Sequence, residues 1–185
     1  MANTVNNVTA GKPAVGGAIS VAAAGTAAPT SASASISSFT SLGYVSEDGV
    51  TNSNSPSSTN IKAWGGDVVL VTSDEKPDTF KFTLIEILNA DVLKLVYGDS
   101  NVSGALATGI TINANNKPQA EHVMVIDMIL RDNALKRVVI PKAYVTGVGD
   151  IAYKDSAAVG YETTITAMPD SSGNTHYEYI LKATT

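Results

Sequence analysis

The chain has 185 residues and a mass of 19.0 kDa, which suits one domain with or without a tail. Only 16% of the residues are charged and the pI is about 4.9, so the basic footprint of a sequence-independent nucleic-acid binder is missing. The absence of cysteine excludes disulfides, thiolate metal sites and cysteine nucleophiles, and no apolar run approaches the roughly 18 residues of a membrane span.

The N-terminal third is poor in charge and in large side chains. Within its first 60 residues only Lys12, Glu47 and Asp48 are charged, and Ala, Ser, Gly and Thr dominate the rest. Such a composition buries too little apolar surface to offset its own ordering entropy. We therefore predict a flexible N-terminal arm over residues 1–12 and a single domain over residues 13–185.

Residues 46–60 are polar, without an apolar period. Stretches of this length inside a compact domain are usually functional or disordered, so we predict a long loop that contacts a neighbouring subunit through Asn52 and Asn54. Trp64, the only tryptophan, follows this loop. It is either a core anchor that closes the loop or a subunit-contact residue, because aromatic residues are enriched in interface cores.

The remainder of the chain has the two-residue period of half-buried strands. In residues 79–86, for example, Phe80, Phe82 and Leu84 share one face, and polar side chains dominate the other. Several further segments alternate in the same way or are apolar on both faces, with turn residues between them. The pattern predicts a succession of short antiparallel strands.

One segment breaks the strand pattern. Residues 90–97 place their apolar side chains on one helical stripe, Asn89 suits the N-cap, and Gly98 suits the stop. The predicted fold is mostly β: two packed antiparallel sheets in a sandwich or barrel-like arrangement. One short flanking α-helix and an extended N-terminal arm complete it.

Motifs that would support catalysis or cofactor binding are incomplete. Residues 147–152 match G-x-G-x-x-A, but a dinucleotide site needs this turn to open a helix, and a hairpin is predicted there. Ser73 and Lys76 have the spacing of a serine–lysine pair without its companion motifs. His122 and His176 fall on separate strands and are too few to hold a metal. We predict no enzyme, no cofactor and no metal.

Six segments together carry a family resemblance. They are residues 42–49, 61–67, 79–86 with 97–98 beyond them, 125–130, 136–141 and 161–167. In order, spacing and content they resemble the major tail protein of long-tailed, non-contractile bacteriophages of the siphovirus type, which is the tail tube subunit. The resemblance extends from about residue 14 to the end of the chain.

The resemblance implies a virion structural protein with two packed sheets and a flanking helix. It implies hexameric rings in which part of each sheet joins a continuous barrel around a lumen. Stacked rings would form the tube through which DNA leaves the capsid without specific binding. The implied partners are further copies of the chain and the tail terminator, tape measure and distal tail proteins. Assembly would take place in the host bacterial cytoplasm, with no membrane involved.

Candidates for the lumen face follow from strand alternation. A conduit for DNA should repel phosphate, and carboxylates in a lumen would do so. Glu121 and Asp127 share one face of their strand, and Glu162 lies on the polar face of another, so we predict that all three point toward the lumen. The alternative for Asp127 is a pair with Arg137 or Lys136 across a hairpin.

Two other classes of function remain open from sequence. Another self-assembling tube or shell protein, such as a secretion-system tube or a capsid decoration protein, differs from a tail tube in its mode of assembly. A small β-sandwich enzyme or carbohydrate-binding domain needs clustered carboxylates or exposed aromatic residues in a cleft, and the sequence shows neither clearly.

Overall fold

The computed structural model describes residues 3–73 and 75–182. Asp74, the first two residues of the predicted arm and the last three of the predicted domain lie outside the described residues. The strands are β1 (Lys12–Pro13), β2 (Ile19–Ala23), β3 (Thr40–Ser41), β4 (Val45–Asn54), β5 (Ser58–Lys62), β6 (Val68–Ser73), β7 (Asp78–Leu84), β8 (Val102–Ala105), β9 (Gly109–Ile112), β10 (His122–Ile129), β11 (Leu135–Val148), β12 (Tyr161–Ala167) and β13 (Tyr177–Leu181). The helix α1 spans Ala90–Tyr97, and short 3₁₀ turns span Val5–Asn7, Asp99–Asn101 and Arg131–Asn133.

Nine strands form one antiparallel sheet. The hydrogen-bonded path runs β3-β2-β10-β11-β12-β7-β4. The 14-residue β11 is its central strand: β10 lies along one side, and β13 and β12 follow each other along the other side. The path ends at β3 and β4, so the sheet is open within the part of the chain that the structure describes.

The predicted fold class is confirmed. Two small antiparallel sheets, β5–β6 and β8–β9, accompany the main sheet. Helix α1 has the predicted ends: the side chain of Asn89 accepts a hydrogen bond from the Asp91 backbone amide at 3.0 Å, and Gly98 has a φ of 97°. Glycine adopts this left-handed backbone at little cost, which explains why the helix stops there.

The hydrophobic core lies between α1 and one face of the main sheet. Phe80, Phe82 and Leu84 share this face, as predicted, and the apolar stripe of α1 is buried against the same cluster. Tyr97 and Tyr161 meet edge to face with their ring centroids 5.8 Å apart. Each large apolar side chain buried here stabilises the fold by about 1.5–3 kcal/mol before entropy is counted.

A buried ion pair occupies the opposite face of the sheet, over β10 and β11. Arg137 holds Asp127 with two hydrogen bonds of 2.7 and 2.9 Å. Its guanidinium also donates to the backbone carbonyls of Ser31 and Ala34. Residues 31–34 therefore cross this half of the sheet, and the alternative pairing considered for Asp127 is confirmed with Arg137.

Residues 46–60 form strands rather than the predicted loop. Thr51, Asn52 and Ser53 continue β4 alongside β7, and β5 begins at Ser58. Asparagine, aspartate, glycine and proline, which occur in residues 46–60, are depleted in strands, so composition argued against one. Backbone pairing with β7, which is remote in sequence, overrides that weak local preference.

Residues 3–11, the described part of the arm before β1, are exposed. The Arg131 backbone amide donates to the Thr9 hydroxyl at 2.7 Å, and the Arg131 guanidinium donates to the Val5 carbonyl at 3.1 Å. These bonds place the arm against the β10–β11 turn. The flexibility of residues 1–12 and the boundary at residue 13 stay predictions.

We expect Arg137→Leu to lower the free energy of unfolding by about 3 kcal/mol, because it leaves the Asp127 carboxylate without its partner. The control is Lys136→Leu. The Lys136–Glu178 pair is more exposed, so its loss should cost less than about 1 kcal/mol. Urea unfolding of the free subunit measures both, and equal losses would contradict this account of the buried pair.

Candidate assembly surfaces

An uncovered polar face lies on four neighbouring strands, on the side of the sheet opposite the core. In β7 and β12 the buried residues alternate with more exposed ones. The ladders of β4, β7, β12 and β11 align the latter in rows. We call this surface the threonine face; its residues are Thr51, Ser53, Thr79, Lys81, Thr83, Glu162, Thr164 and Thr166, with Thr146 added because its hydroxyl contacts that of Thr166.

Hydroxyl groups dominate the threonine face. The hydroxyls of Thr146 and Thr166 lie 2.8 Å apart across β11 and β12. Its two charged members form a pair, with Lys81 Nζ 2.9 Å from Glu162 Oε1 and both side chains about half exposed. Such a pair adds about 0–1 kcal/mol to stability, and it leaves the face without net charge.

The three acidic residues predicted to face the lumen do not all lie on the threonine face. Glu162 lies on the threonine face. Glu121 lies at its rim, where it accepts a 2.7 Å hydrogen bond from the Tyr144 hydroxyl, and this bond raises the pKa of Tyr144. Asp127 lies on the other half of the sheet, where Arg137 compensates its charge.

A separate hairpin projects between β4 and β7. We call residues 58–73 the projecting hairpin; β5 and β6 pair with each other and join no other strand among the described residues. The four consecutive residues Val68–Val71 of β6 are all at least half exposed, and consecutive strand residues point to opposite faces. A two-stranded hairpin that exposes apolar side chains on both faces is marginal alone in water and marks an interaction surface.

Trp64 lies in the turn at the tip of the projecting hairpin. The Ala63 amide donates to the Asp67 carbonyl at 2.8 Å, which closes this turn. The relative exposure of Trp64 is 106%, so the prediction of a core anchor was wrong: the turn holds the indole away from the domain. The alternative role in a subunit contact stays a prediction.

A buried carboxylate fixes the base of the projecting hairpin. Asp78, the first residue of β7, is 1% exposed. It accepts hydrogen bonds from Asn52 at 2.8 Å and from Thr175 at 2.5 Å, and His176 Nδ1 lies 2.5 Å from it. The imidazole also packs edge-on against Phe80. The cluster therefore connects β4, β7 and the segment that leads into β13.

The same contacts determine the ionisation of Asp78. Burial raises its pKa, but the hydrogen bonds from Thr175, Asn52 and His176, with the charge of His176, outweigh burial and hold the pKa below its ordinary value of 3.8. Sequence reasoning missed this cluster because its members are far apart along the chain. Asn52, predicted to contact another subunit, has its amide engaged inside the chain, whereas Asn54 is exposed at the end of β4.

The remaining sequence candidates form no chemical site. The G-x-G-x-x-A motif ends β11 and continues into a loop instead of opening a helix. Across residues 3–73 and 75–182, no group of three or more His, Asp or Glu residues is placed to hold a metal ion. No helix in those ranges is long and apolar enough to span a membrane.

The Asp78 cluster predicts how stability changes in acid. Because the pKa of Asp78 lies below 3.8 in the folded state, its ionisation stabilises the fold at neutral pH, and this contribution is lost as the pH falls through the folded pKa. Asp78→Asn should lower the free energy of unfolding by about 1–3 kcal/mol at neutral pH.

Urea titrations at a series of pH values measure this difference between wild type and Asp78→Asn. The difference should shrink in the acid range, below the ordinary pKa. Asp155→Asn, at an exposed loop position, is the control and should have little effect at any pH. A difference for Asp78→Asn that stays constant into acid would contradict the assignment.

Comparison with known proteins gives the family. The family model described as phage tail tube protein matches residues 1–185, the whole chain. A search of curated proteins finds no match. The chain therefore belongs to the phage tail tube protein family and is a structural component of the virion tail.

Proposed function

We propose that the chain forms hexameric rings that stack into the tail tube of a siphovirus-type phage, and that DNA passes through this tube during ejection. The observation that carries the proposal is the threonine face, a polar sheet surface bounded by two strand edges. Family membership supports a tube, and the edges and the polar face supply a physical route to a ring with a lumen.

The two edges belong to β4 and to the end of β11. The pairing of β10 with β11 reaches only as far as His122 and Ala143, so residues 144–148 of β11 extend beyond β10. Within the described ranges, β4 ends the sheet on the other side. Unpaired edges of this length promote association with other chains, and a closed ring removes them.

The direction of the strands favours ring closure. The four strands β4, β7, β12 and β11 alternate in direction, so the first and the last run antiparallel. Copies related by rotation can therefore pair β4 of one with β11 of the next in an antiparallel ladder. Each contact is heterologous, and heterologous contacts close into rings when the rotation allows it.

The threonine face is the surface we assign to the lumen. Its opposite face is buried under α1, which leaves the polar side free to line a channel. Hydroxyl groups bind water well, and the Lys81–Glu162 pair has no net charge, so a phosphate backbone gains little by binding. Glu121 and Lys142 line the same depression at the rim, so their charges offset each other. We keep Glu121 and Glu162 as proposed lumen residues; Asp127 is compensated by Arg137 and contributes no free charge.

A tail tube subunit has a defined set of partners. The main partner is further copies of the chain, and Trp64 and Asn54 lie in the contacts between them. The tail terminator, tape measure and distal tail proteins complete the tail. Assembly takes place in the cytoplasm of the host bacterium, and the role is structural rather than catalytic.

Cysteine cross-linking tests the ring contact directly, because the natural sequence holds no cysteine. In the double variant Ser53→Cys with Thr146→Cys, oxidation of assembled protein should produce a ladder of disulfide-linked oligomers that ends at the hexamer. A second pair, Thr51→Cys with Thr146→Cys, would form the disulfide if β4 of one copy pairs with β11 of the next copy two residues out of this register. Non-reducing gels give the readout.

Each single variant should remain uncross-linked, since the two edges lie on opposite sides of the subunit. Ser53→Cys with Ser156→Cys, which places the second thiol on an exposed loop, is the matched control. A ladder with the control pair, or none with either edge pair, would contradict the proposed closure.

Charge on the threonine face should affect the passage of DNA more than assembly. In phage particles, Glu162→Lys places a second cation beside Lys81 and attracts phosphate, so we expect normal tails and slower DNA release. Asp155→Lys on an exposed loop is the control with the same charge change and should release DNA at the wild-type rate. Loss of tails in Glu162→Lys would instead place Glu162 in an interface.

A further inference from the structure

A cavity lies at the end of β4 and β7 that is remote from the projecting hairpin. The two strands pair from Val45 and Leu84 at one end to Asn54 and Asp78 at the other. The projecting hairpin leaves from the Asn54 end. The cavity of about 880 Å³ lies at the Val45 end, between residues 11–18 and residues 43–50. Hairpin and cavity are thus at opposite ends of the same pair of strands.

The walls of the cavity are mostly apolar and lack bulk. Ile126 and Met128 of β10 line it together with Val45 and Val50. Glycines contribute much of the rest. At Gly16 and Gly49 an added Cβ atom would meet no other atom within 4 Å, so open space adjoins the backbone there. A space of this kind suits a large, flat apolar group.

The charged groups of the cavity are acidic. Glu47, Asp48 and Glu86 line it, and its described lining contains no Lys or Arg. Glu86 is held in place because it accepts hydrogen bonds from the Tyr44 amide at 2.9 Å and the Asn89 side chain at 3.2 Å. An occupant with an apolar body and hydrogen-bond donors or a cation would match this lining.

We propose that the cavity receives the tip of the projecting hairpin of the next copy along the tube, with Trp64 as the inserted residue. Trp64 is the fully exposed aromatic group of the tip, and its indole N–H is a donor. Lys62, two residues earlier, supplies the matching positive charge. This inference rests on the proposed stacking of rings and names the contact that produces it.

The placement of the two surfaces explains why the contact would propagate. The ladder from Val45–Leu84 to Asn54–Asp78 covers six residue steps of β7, so at about 3.3 Å per residue its two ends lie about 20 Å apart. Each copy then presents a hairpin at one end and a cavity at the other. A heterologous contact between opposite ends adds copies without limit along one axis, as the growth of a tube requires.

The N-terminal arm of the same chain is a weaker candidate for the cavity. Residues Val5 and Thr9 already bond to Arg131 at the β10–β11 turn. The arm also lacks an aromatic residue or a cation before Lys12. The hairpin tip has both groups and is exposed, so the observations favour it.

Two complementary variants test the contact. Trp64→Ala removes the inserted group and leaves the cavity intact, whereas Ala14→Trp fills the cavity and leaves the hairpin intact. Each alone should still close rings, as shown by the cysteine ladder, but should raise the concentration needed for tube growth by roughly 30-fold or more, the effect of losing a hot-spot residue. Tyr153→Ala, an exposed aromatic residue outside both surfaces, is the control and should form tubes normally.

Mixing the two variants gives the sharpest result. A ring of Ala14→Trp still offers Trp64 to the open cavity of a Trp64→Ala ring, so the mixture should form pairs of rings that stop growing. Normal tubes from Trp64→Ala would overturn the inference while leaving ring closure intact. Failure of the wild-type chain to form rings would instead overturn the proposed function.

A photo-reactive amino acid at position 64 keeps the test valid if Ala14→Trp fails to fold. When this variant is assembled together with wild-type protein, residue 64 should cross-link to peptides from residues 11–18 or 43–50 of another copy. Mass spectrometry identifies these peptides. Cross-links confined to the arm or to other surfaces would overturn the assignment of the cavity.

Discussion

Backbone pairing along β11 is the constraint on which the rest of the structure depends. This strand is long enough to hold β10 on one side and both β13 and β12 on the other. Its first half is covered on both faces, by the core and by the Arg137 contacts with residues 31–34. Its second half extends past β10, and there one polar face is uncovered and one strand edge is unpaired among the described residues.

The separation between a buried and a polar half gives the subunit its proposed function. The buried half holds the fold together through the core, α1 and the Asp127–Arg137 pair. The polar half with β4, β7 and β12 is a four-strand unit that is incomplete in isolation, because its edges lack partners among the described residues. The projecting hairpin adds exposed apolar side chains at one end. These features suit a subunit whose strand edges and exposed apolar side chains are covered only when neighbouring copies bind.

The sequence correctly predicted those elements in which local residue preferences agree with the structure that the whole chain adopts. The alternation around Phe80 and Phe82, the caps of α1 and the family resemblance all predicted features that the structure and the family comparison confirm. Where long-range pairing decides, sequence reasoning failed. The polar part of β4 becomes a strand only because β7 lies beside it. The Asp78–His176 contact joins residues that are 98 positions apart, and no local pattern indicates it.

The candidate surfaces were only partly predictable for the same reason. Alternation placed Glu162 on a polar face, and the threonines beside it were equally visible in the sequence. Attention to charge selected the acids, whereas the structure groups them with hydroxyls and pairs Glu162 with Lys81. The exposure of Trp64 depends on a turn closed by backbone bonds, which composition alone does not reveal.

Electron cryomicroscopy of the purified protein at high concentration would show directly how copies of the chain assemble. We expect tubes of stacked six-fold rings, in which β4, β7, β12 and β11 of every copy form one continuous barrel. The rows of Thr164 and Thr166 should line its lumen, and α1 should lie outside. Featureless monomers, or tubes with α1 against the lumen, would contradict the account.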